Sequence, residues 1–335
     1  MLPEPFKQWT RPFRVQKHLR KHLDIHEKKS ENLKLILATR SSPNIVEFRR
    51  EENRLILRTT DRLHFLDDRL FYYYRTQLPV MTRVVSGTLP SVQRVVCDIS
   101  DGAREPSDRL LFSGSAPNAL LVPDSEFYNS NAYAHVHAYK IGQRPWSERD
   151  QAFVWRGSTT GTEDHSFGSG IERLQRVRFC LMSREIPDTD CKISKITEPL
   201  DQHRDQLELS ALEICGESVA ERSWADRKFA FDIDGNTNAW SNFFVRMLLG
   251  CCVLKVDSPF GFRQWYYERL TPWTHFVPIK SDLSDLHQKI DWCRSNLGQC
   301  EEIASAAQRF SSQMTVHGEI ASTIEIINQR LADKT

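Results

Sequence analysis

"FVWRGSTTG", residues 153–161, opens on bulky apolar residues and closes on Arg156, Gly157, Ser158, Thr159, Thr160 and Gly161. The first half has the composition of a buried strand, and the second is a turn that combines one permanent cation, two glycines and three hydroxyls. Two readings are open from this stretch alone. A turn that leads into a helix presents backbone amides and an Arg fork to a phosphate. A polar strand end needs no ligand at all.

The surrounding sequence alternates. "AFVWRGS" (152–158), "KFAFDIDG" (228–235), "CCVLKVDS" (251–258) and "THFVPIK" (274–280) read as strands. Between and after them, "GSGIERLQRVRFCLMS" (168–183), "AWSNFFVRMLLG" (239–250), "FRQWYYERL" (262–270) and "LSDLHQKIDWCRSN" (283–296) read as helices. Such βαβ units have right-handed crossovers and generate a parallel, doubly wound sheet covered on both faces. Sheets of this kind bind ligands beyond the carboxyl ends of their strands, where Ser158–Gly161, Asp234–Asn238 and Asp257–Ser258 fall. In the first half "NLKLILAT", "RLILRT", "QRVVCDIS" and "RLLFSG" read as shorter strands, and two helical stretches near 301–314 and 321–334 close the chain.

At 335 residues the chain is long enough for two hydrophobic cores. Its 45 Lys and Arg against 44 Asp and Glu leave a formal charge of +1, which argues against a chain-wide nucleic-acid surface. Basic residues do concentrate in residues 1–30, where Lys7, Arg11, Arg14, Lys17, Arg20, Lys21, Lys28 and Lys29 face only Asp24 and Glu27 among residues 6–29. That segment lacks the apolar core of a secretory signal, and no run of 18 apolar residues occurs, so the expected location is cytoplasmic. The eight cysteines contain no CxxC pair and are expected to be reduced and mostly buried.

Three elements occur in order: "WRGSTTG" (155–161), "FDIDGNTNAW" (231–240) leading into "CCVLKV" (251–256), and "WYYERLTPWTHFVPIKSDLSDL" (265–286). Over residues 95–310 this arrangement resembles the CAP10-type glycosyltransferases, family 90, which include protein O-glucosyltransferases and bacterial enzymes of lipopolysaccharide assembly. The resemblance implies an α/β, GT-B-like fold of two Rossmann-like domains facing across a cleft. It also implies inverting, metal-independent transfer of a sugar from a nucleotide-diphosphate donor to a hydroxyl of a glycan or lipopolysaccharide-type acceptor. The expected organisation is a basic helical segment (1–30), an acceptor-side domain (31–150), a donor-binding domain (151–312) and a C-terminal helix packing back (313–335).

The resemblance places the diphosphate against Arg156, Gly157, Ser158, Thr160 and Gly161, and the catalytic base at Asp101, with Asp98 as competitor. Asp101 lies in the loop beyond a strand, where functional groups collect, whereas Asp98 still belongs to the strand. Asp101 also suits an "SDG" turn with no catalytic role. Asp232, Asp234 and Gly235 are expected to shape the donor pocket. As a DxD pair the two carboxylates point to one face and are a rival, metal-binding reading. Ser241 opens a helix toward the diphosphate. Two residues later, where many family members carry Arg, this chain has Phe243, and Arg246 is the candidate replacement. Phe243 also keeps open a non-catalytic sugar- or nucleotide-binding protein of the same fold. His18, His22 and His26 recur every four residues and fit a solvated basic helix better than a zinc site. His135 and His137 are read on an extended segment. An acceptor anchored in a membrane would place the basic N-terminal segment at an anionic surface, in peripheral contact only.

Overall fold

A computed structural model of the chain describes residues 10–23, 32–38, 42–51, 54–65, 67–106, 108–161, 170–197 and 203–331. The chain forms two compact units, Met1–Ala132 with Arg263–Trp265 and Thr315–Thr335, and Tyr133–Phe262 with Tyr266–Met314. His26 lies outside the described residues.

The first unit contains α1 (Arg11–Leu19), β1 (Asn32–Ala38), β2 (Ile45–Glu51), β3 (Arg54–Thr60), α2 (Asp68–Thr76), α3 (Leu78–Ser86), β4 (Arg94–Asp98), β5 (Leu110–Leu111), β6 (Leu120–Leu121) and α4 (Ser125–Asn129). Its six-stranded sheet has the order β1-β3-β2-β4-β5-β6. Only β2 runs against its neighbours β3 and β4. The chain leaves two residues between β2 and β3, too few for the crossover a parallel pair requires, so they pair antiparallel. Buried Leu55, Ile56 and Leu57 fill both faces of β3. Helix α1 buries Arg11, Val15 and Leu19 at helical spacing, while Phe13, Arg14, Lys17 and Arg20 are exposed.

The second unit contains α5 (Ala134–Tyr139), β7 (Asp150–Ser158), α6 (Gln175–Arg184), β8 (Thr189–Lys195), α7 (His203–Ala211), β9 (Arg227–Asp232), α8 (Ser241–Leu248), β10 (Cys252–Val256), β11 (Val277–Ile279), α9 (Leu286–Ser295) and α10 (Leu297–Gln313). The sheet order is β11-β10-β9-β7-β8, with every pair parallel. Phe153 and Phe229 stack at 4.2 Å in its core, beneath Trp155, Phe179 and Phe231. The chain runs from β7 outward to β8, then returns to the other side of β7 for β9. The order therefore reverses at β7 and β9, and their carboxyl ends form the topological switch point of this sheet.

Three expectations change. Residues 262–270 are not a helix: only a single tight turn forms at Tyr267–Arg269, and Arg263 instead joins the first unit by exchanging backbone bonds with Gly114 at 3.0 and 3.2 Å. The segment carrying His135 and His137 is helical, not extended, so the two imidazoles do not share a face; His135 meets Glu221 at 3.0 Å. Residues 133–150 belong with the second unit, which moves the boundary upstream of 150. The last helix, α11 (Val316–Leu331), packs in the first unit, where Asn328 Oδ1 accepts from Leu89 N and Arg330 donates to Asn118 O, both at 2.8 Å.

Candidate functional site

The turn after β7 is built from side chains as much as backbone. Thr159 turns back, donating to Thr197 O and accepting from Thr197 N at 2.8 Å each. This leaves Ser158 and Thr160 on the other side, their hydroxyls 2.7 Å apart. Gly157 is required by packing: a Cβ there would stand 2.3 Å from the Trp155 ring, which is held in the core. Gly161 has open space around it.

The cation that serves this turn is Arg176, near the amino end of α6. Its Nη1 donates to Thr160 Oγ1 at 2.8 Å and to Ser158 O and Oγ at 3.3 Å, and its Nη2 donates to Ile233 O at 2.9 Å. One guanidinium thus ties the carboxyl end of β7 to the backbone just past β9, at the switch point. Gly235 packs against the same group, its missing Cβ position 3.2 Å from Arg176 Nη2 and 3.3 Å from Thr160 Oγ1. Burial lowers the Arg176 pKa to about 10, with Asp234 and Asp232 pulling it up again, so the group remains a cation at neutral pH.

Arg156 is placed differently from expectation. Its Nη2 forms a fork with both carboxylate oxygens of Asp190 at 2.8 and 2.7 Å, and its remaining donors reach Asp190 O, Trp155 O and Glu217 O. Asp190 lies opposite Val154, two residues back along β7. The guanidinium therefore reaches sideways across β8 and holds that edge strand instead of facing the turn.

Asp232 and Asp234 differ although they are two residues apart. Asp232 Oδ2 accepts from Lys255 Nζ at 2.7 Å, a pair with side chains 0 % and 9 % exposed. Burial alone would lower the Lys255 pKa, but Asp232 and Asp234 outweigh it and hold it above its ordinary value. Neither oxygen of buried Asp234 meets a donor at hydrogen-bond geometry within the described residues. Burial pushes its pKa up to about 6, against the opposing pull of Lys255, Ser258 and Arg176. Among the described residues no three His, Cys, Asp or Glu side chains gather into a metal-binding group.

Phe243, the departure from the family resemblance, is fully buried and packs on Tyr266, Tyr267 and Phe276. The Lys255 ammonium lies 4.9 Å from its ring centroid and 4.8 Å from that of Tyr267. An aromatic ring at position 243 thus faces a cation delivered from β10. Arg246 does not take that place. It stacks 3.7 Å over Trp224, in the segment that precedes β9, and donates to Asn242. Ser241 is the first residue of α8, just beyond the buried Thr237–Asn238 stretch.

In the first unit Asp98 is committed: it accepts from Ser100 N at 2.9 Å and stands 3.8 Å from Arg109. Asp101 is half-buried in the loop after β4 and accepts from Tyr73 OH at 3.2 Å. Sequence reasoning overlooked Arg176, Lys255 and Tyr73. A lone Lys within the apolar run "CCVLKV" was the visible signal for Lys255; Arg176 stood among four arginines between 173 and 184 with nothing to distinguish it.

In a parallel α/β sheet the switch point is where ligands bind, and here it carries a buried cation and paired hydroxyls. Residues 132–320 match the profile of glycosyl transferase family 90, and the chain belongs to that family. It is 38% identical over 81 residues to human protein O-glucosyltransferase 3, a match covering 24% of this chain and 15% of that protein. It is 25% identical over 169 residues to rat protein O-glucosyltransferase 1, covering 50% of this chain and 38% of the relative. An uncharacterized protein, 035R, of invertebrate iridescent virus 3 is 32% identical over 170 residues, covering 49% and 15%. The chain thus spans well under half the length of these relatives. Among solved structures, Anabaena Alr3699/HepE in complex with UDP-glucose is similar at a TM-score of 0.34 and 14% identity, covering 55% of this chain and 48% of that one.

Proposed function

We propose that the chain transfers a sugar from a nucleotide-diphosphate donor to a hydroxyl acceptor, with inversion and without a metal ion. The observation that carries this reading is Arg176, a buried cation that joins Ser158 and Thr160 of one strand end to Ile233 beyond the next, at the switch point. The cation, the two hydroxyls, the amides of the turn up to Gly161 and the amino end of α8 at Ser241 receive the diphosphate. Lys255 neutralises Asp232, so that this buried carboxylate does not repel the diphosphate. Because Asp232 is held by Lys255, it is a poor chelator, which favours leaving-group stabilisation by protein cations over a DxD metal. Asp234, buried with no donor at hydrogen-bond geometry among the described residues, accepts from a hydroxyl of the bound nucleotide sugar.

Asp101 is the proposed general base, since Asp98 is occupied by its turn and by Arg109, and the Tyr73 hydroxyl orients the carboxylate. The acceptor is taken to be a glycan or lipopolysaccharide-type hydroxyl. A protein hydroxyl is the second reading, favoured by the names of the O-glucosyltransferase relatives. The basic exposed face of α1 supports peripheral contact with an anionic membrane. Among the described residues no helix is long and apolar enough to cross one. A thermal-shift screen of nucleotide sugars tests the donor reading: a ligand present at 100 times its Kd adds about 2.7 kcal/mol to native stability. No stabilisation by any nucleoside diphosphate or nucleotide sugar would defeat it.

A further inference from the structure

At the other end of the second unit's sheet, before β11, lies a groove of about 540 Å³. Its walls are the Trp273–Thr274 loop, Trp292 of α9, and Gln299, Glu302 and Arg309 on one face of α10, with Ile303 among its lining residues. Residues 299, 302 and 309 recur at near-helical spacing, so their polar ends form a row along one side. Trp273 is held in an unusual conformation. Its φ is +65°, a region a bulky side chain rarely adopts, and it is fixed there by Trp273 N to Phe276 O at 2.7 Å, His275 N to Thr271 O at 2.9 Å and Thr271 N to His275 Nδ1 at 3.0 Å. The result is an indole left 43% exposed, meeting Trp292 edge to face at 4.7 Å.

We propose that this groove binds a neutral oligosaccharide, as a site separate from the donor edge. A sugar ring presents apolar C–H faces and a rim of hydroxyls at once. The groove offers the matching pair of surfaces: two indoles on one side, and on the other a planar amide, a carboxylate and a guanidinium able to make paired hydrogen bonds to adjacent hydroxyls. Its charges are balanced, Glu302 against Arg309, and Lys289, which lies 4.6 Å over Trp273, already stands 3.5 Å from Asp285. Such a lining gives an anionic or cationic ligand no net attraction and leaves a neutral, hydroxyl-rich one as the best fit. This inference rests on the groove alone and does not depend on the reading of the donor edge.

The test labels the full chain with 5-fluorotryptophan and assigns the Trp273 and Trp292 fluorine resonances with the single variants Trp273→Phe and Trp292→Phe. Maltotetraose, cellotetraose, mannotetraose and N-acetylchitotetraose are titrated in turn. The expected result is a saturable shift of both resonances by at least one of them, weakened about tenfold or more in the surface double variant Gln299→Ala/Arg309→Ala and undiminished by saturating UDP. The proposal is overturned if none of the four moves the two resonances, if the double variant binds as the parent does, or if UDP displaces the sugar. A shift that depends on protein concentration alone, with no sugar effect, would assign the groove to a second copy of the chain and overturn it too. A chain that binds the sugar here but no nucleotide at all would sink only the donor reading.

Discussion

Replacing Asp234 by Asn should make the protein more stable at pH 7.5 and less able to hold its donor. The carboxyl is held at about 6 against an ordinary 3.8 because burial disfavours its charged form more than Lys255, Ser258 and Arg176 favour it. At 1.36 kcal/mol per tenfold in proton affinity, keeping it ionised at pH 7.5 costs the fold about 3 kcal/mol. The sign follows from proton counts: between 3.8 and about 6 the folded chain binds more protons at this site than the unfolded chain, so the site's contribution to stability falls as pH rises through that window. Asn has a similar shape and no charge to desolvate. Urea denaturation of both proteins should show Asp234→Asn ahead by on the order of 1–3 kcal/mol at pH 7.5, with the gap closing by about pH 4. Donor affinity should drop about tenfold through loss of a charge-assisted bond. A variant equally destabilised at both pH values would refute the argument, since it would mean that the carboxylate is held by favourable contacts and is not a group kept at a cost for binding.

Arg176→Gln should weaken nucleoside diphosphate binding by roughly 10- to 100-fold in equilibrium titration, whereas Arg156→Ala should leave it within about threefold and instead loosen β8. Lys255→Met should destabilise the fold by about 3–5 kcal/mol by stranding buried Asp232, and the double variant with Asp232→Asn should recover most of that loss in a denaturation cycle. For the membrane contact, truncation is a poor probe because Val15 and Leu19 are buried. The triple variant Arg14→Glu/Lys17→Glu/Lys21→Glu should instead abolish low-salt sedimentation with phosphatidylserine vesicles, and equal sedimentation of parent and variant would end the idea.

The parallel half of the fold was legible because each strand and helix in it has a distinct apolar pattern, and "AFVWRGS", "KFAFDIDG" and "CCVLKVDS" all became neighbouring strands. What failed were elements whose shape is set by distant partners. "FRQWYYERL" has helical spacing, yet Arg263 is claimed by Gly114 from a remote part of the chain. "TDCKISK" is an edge strand in which buried Cys191 and Ile193 alternate with half-buried polar residues, so its polar composition hid it. At the site, the turn and its position on the carboxyl edge could be read directly. Which arginine faces it could not, because Arg156 and Arg176 are chemically identical and only Asp190, an edge-strand residue, draws the first aside. Phe243 read as a lost charge; its meaning emerges only with Lys255 packed over its ring.

Sugar transfer with Asp101 as base is measured by nucleoside diphosphate release from a panel of nucleotide sugars. The assay is run in excess chelator with glycan and peptide hydroxyl acceptors, comparing the parent with Asp101→Asn. Acceptor-stimulated release is expected to persist in chelator and to fall by on the order of 10²–10⁴ in the variant while donor affinity holds. Release that needs a divalent cation, or that survives at near-parental rate in Asp101→Asn, would contradict it.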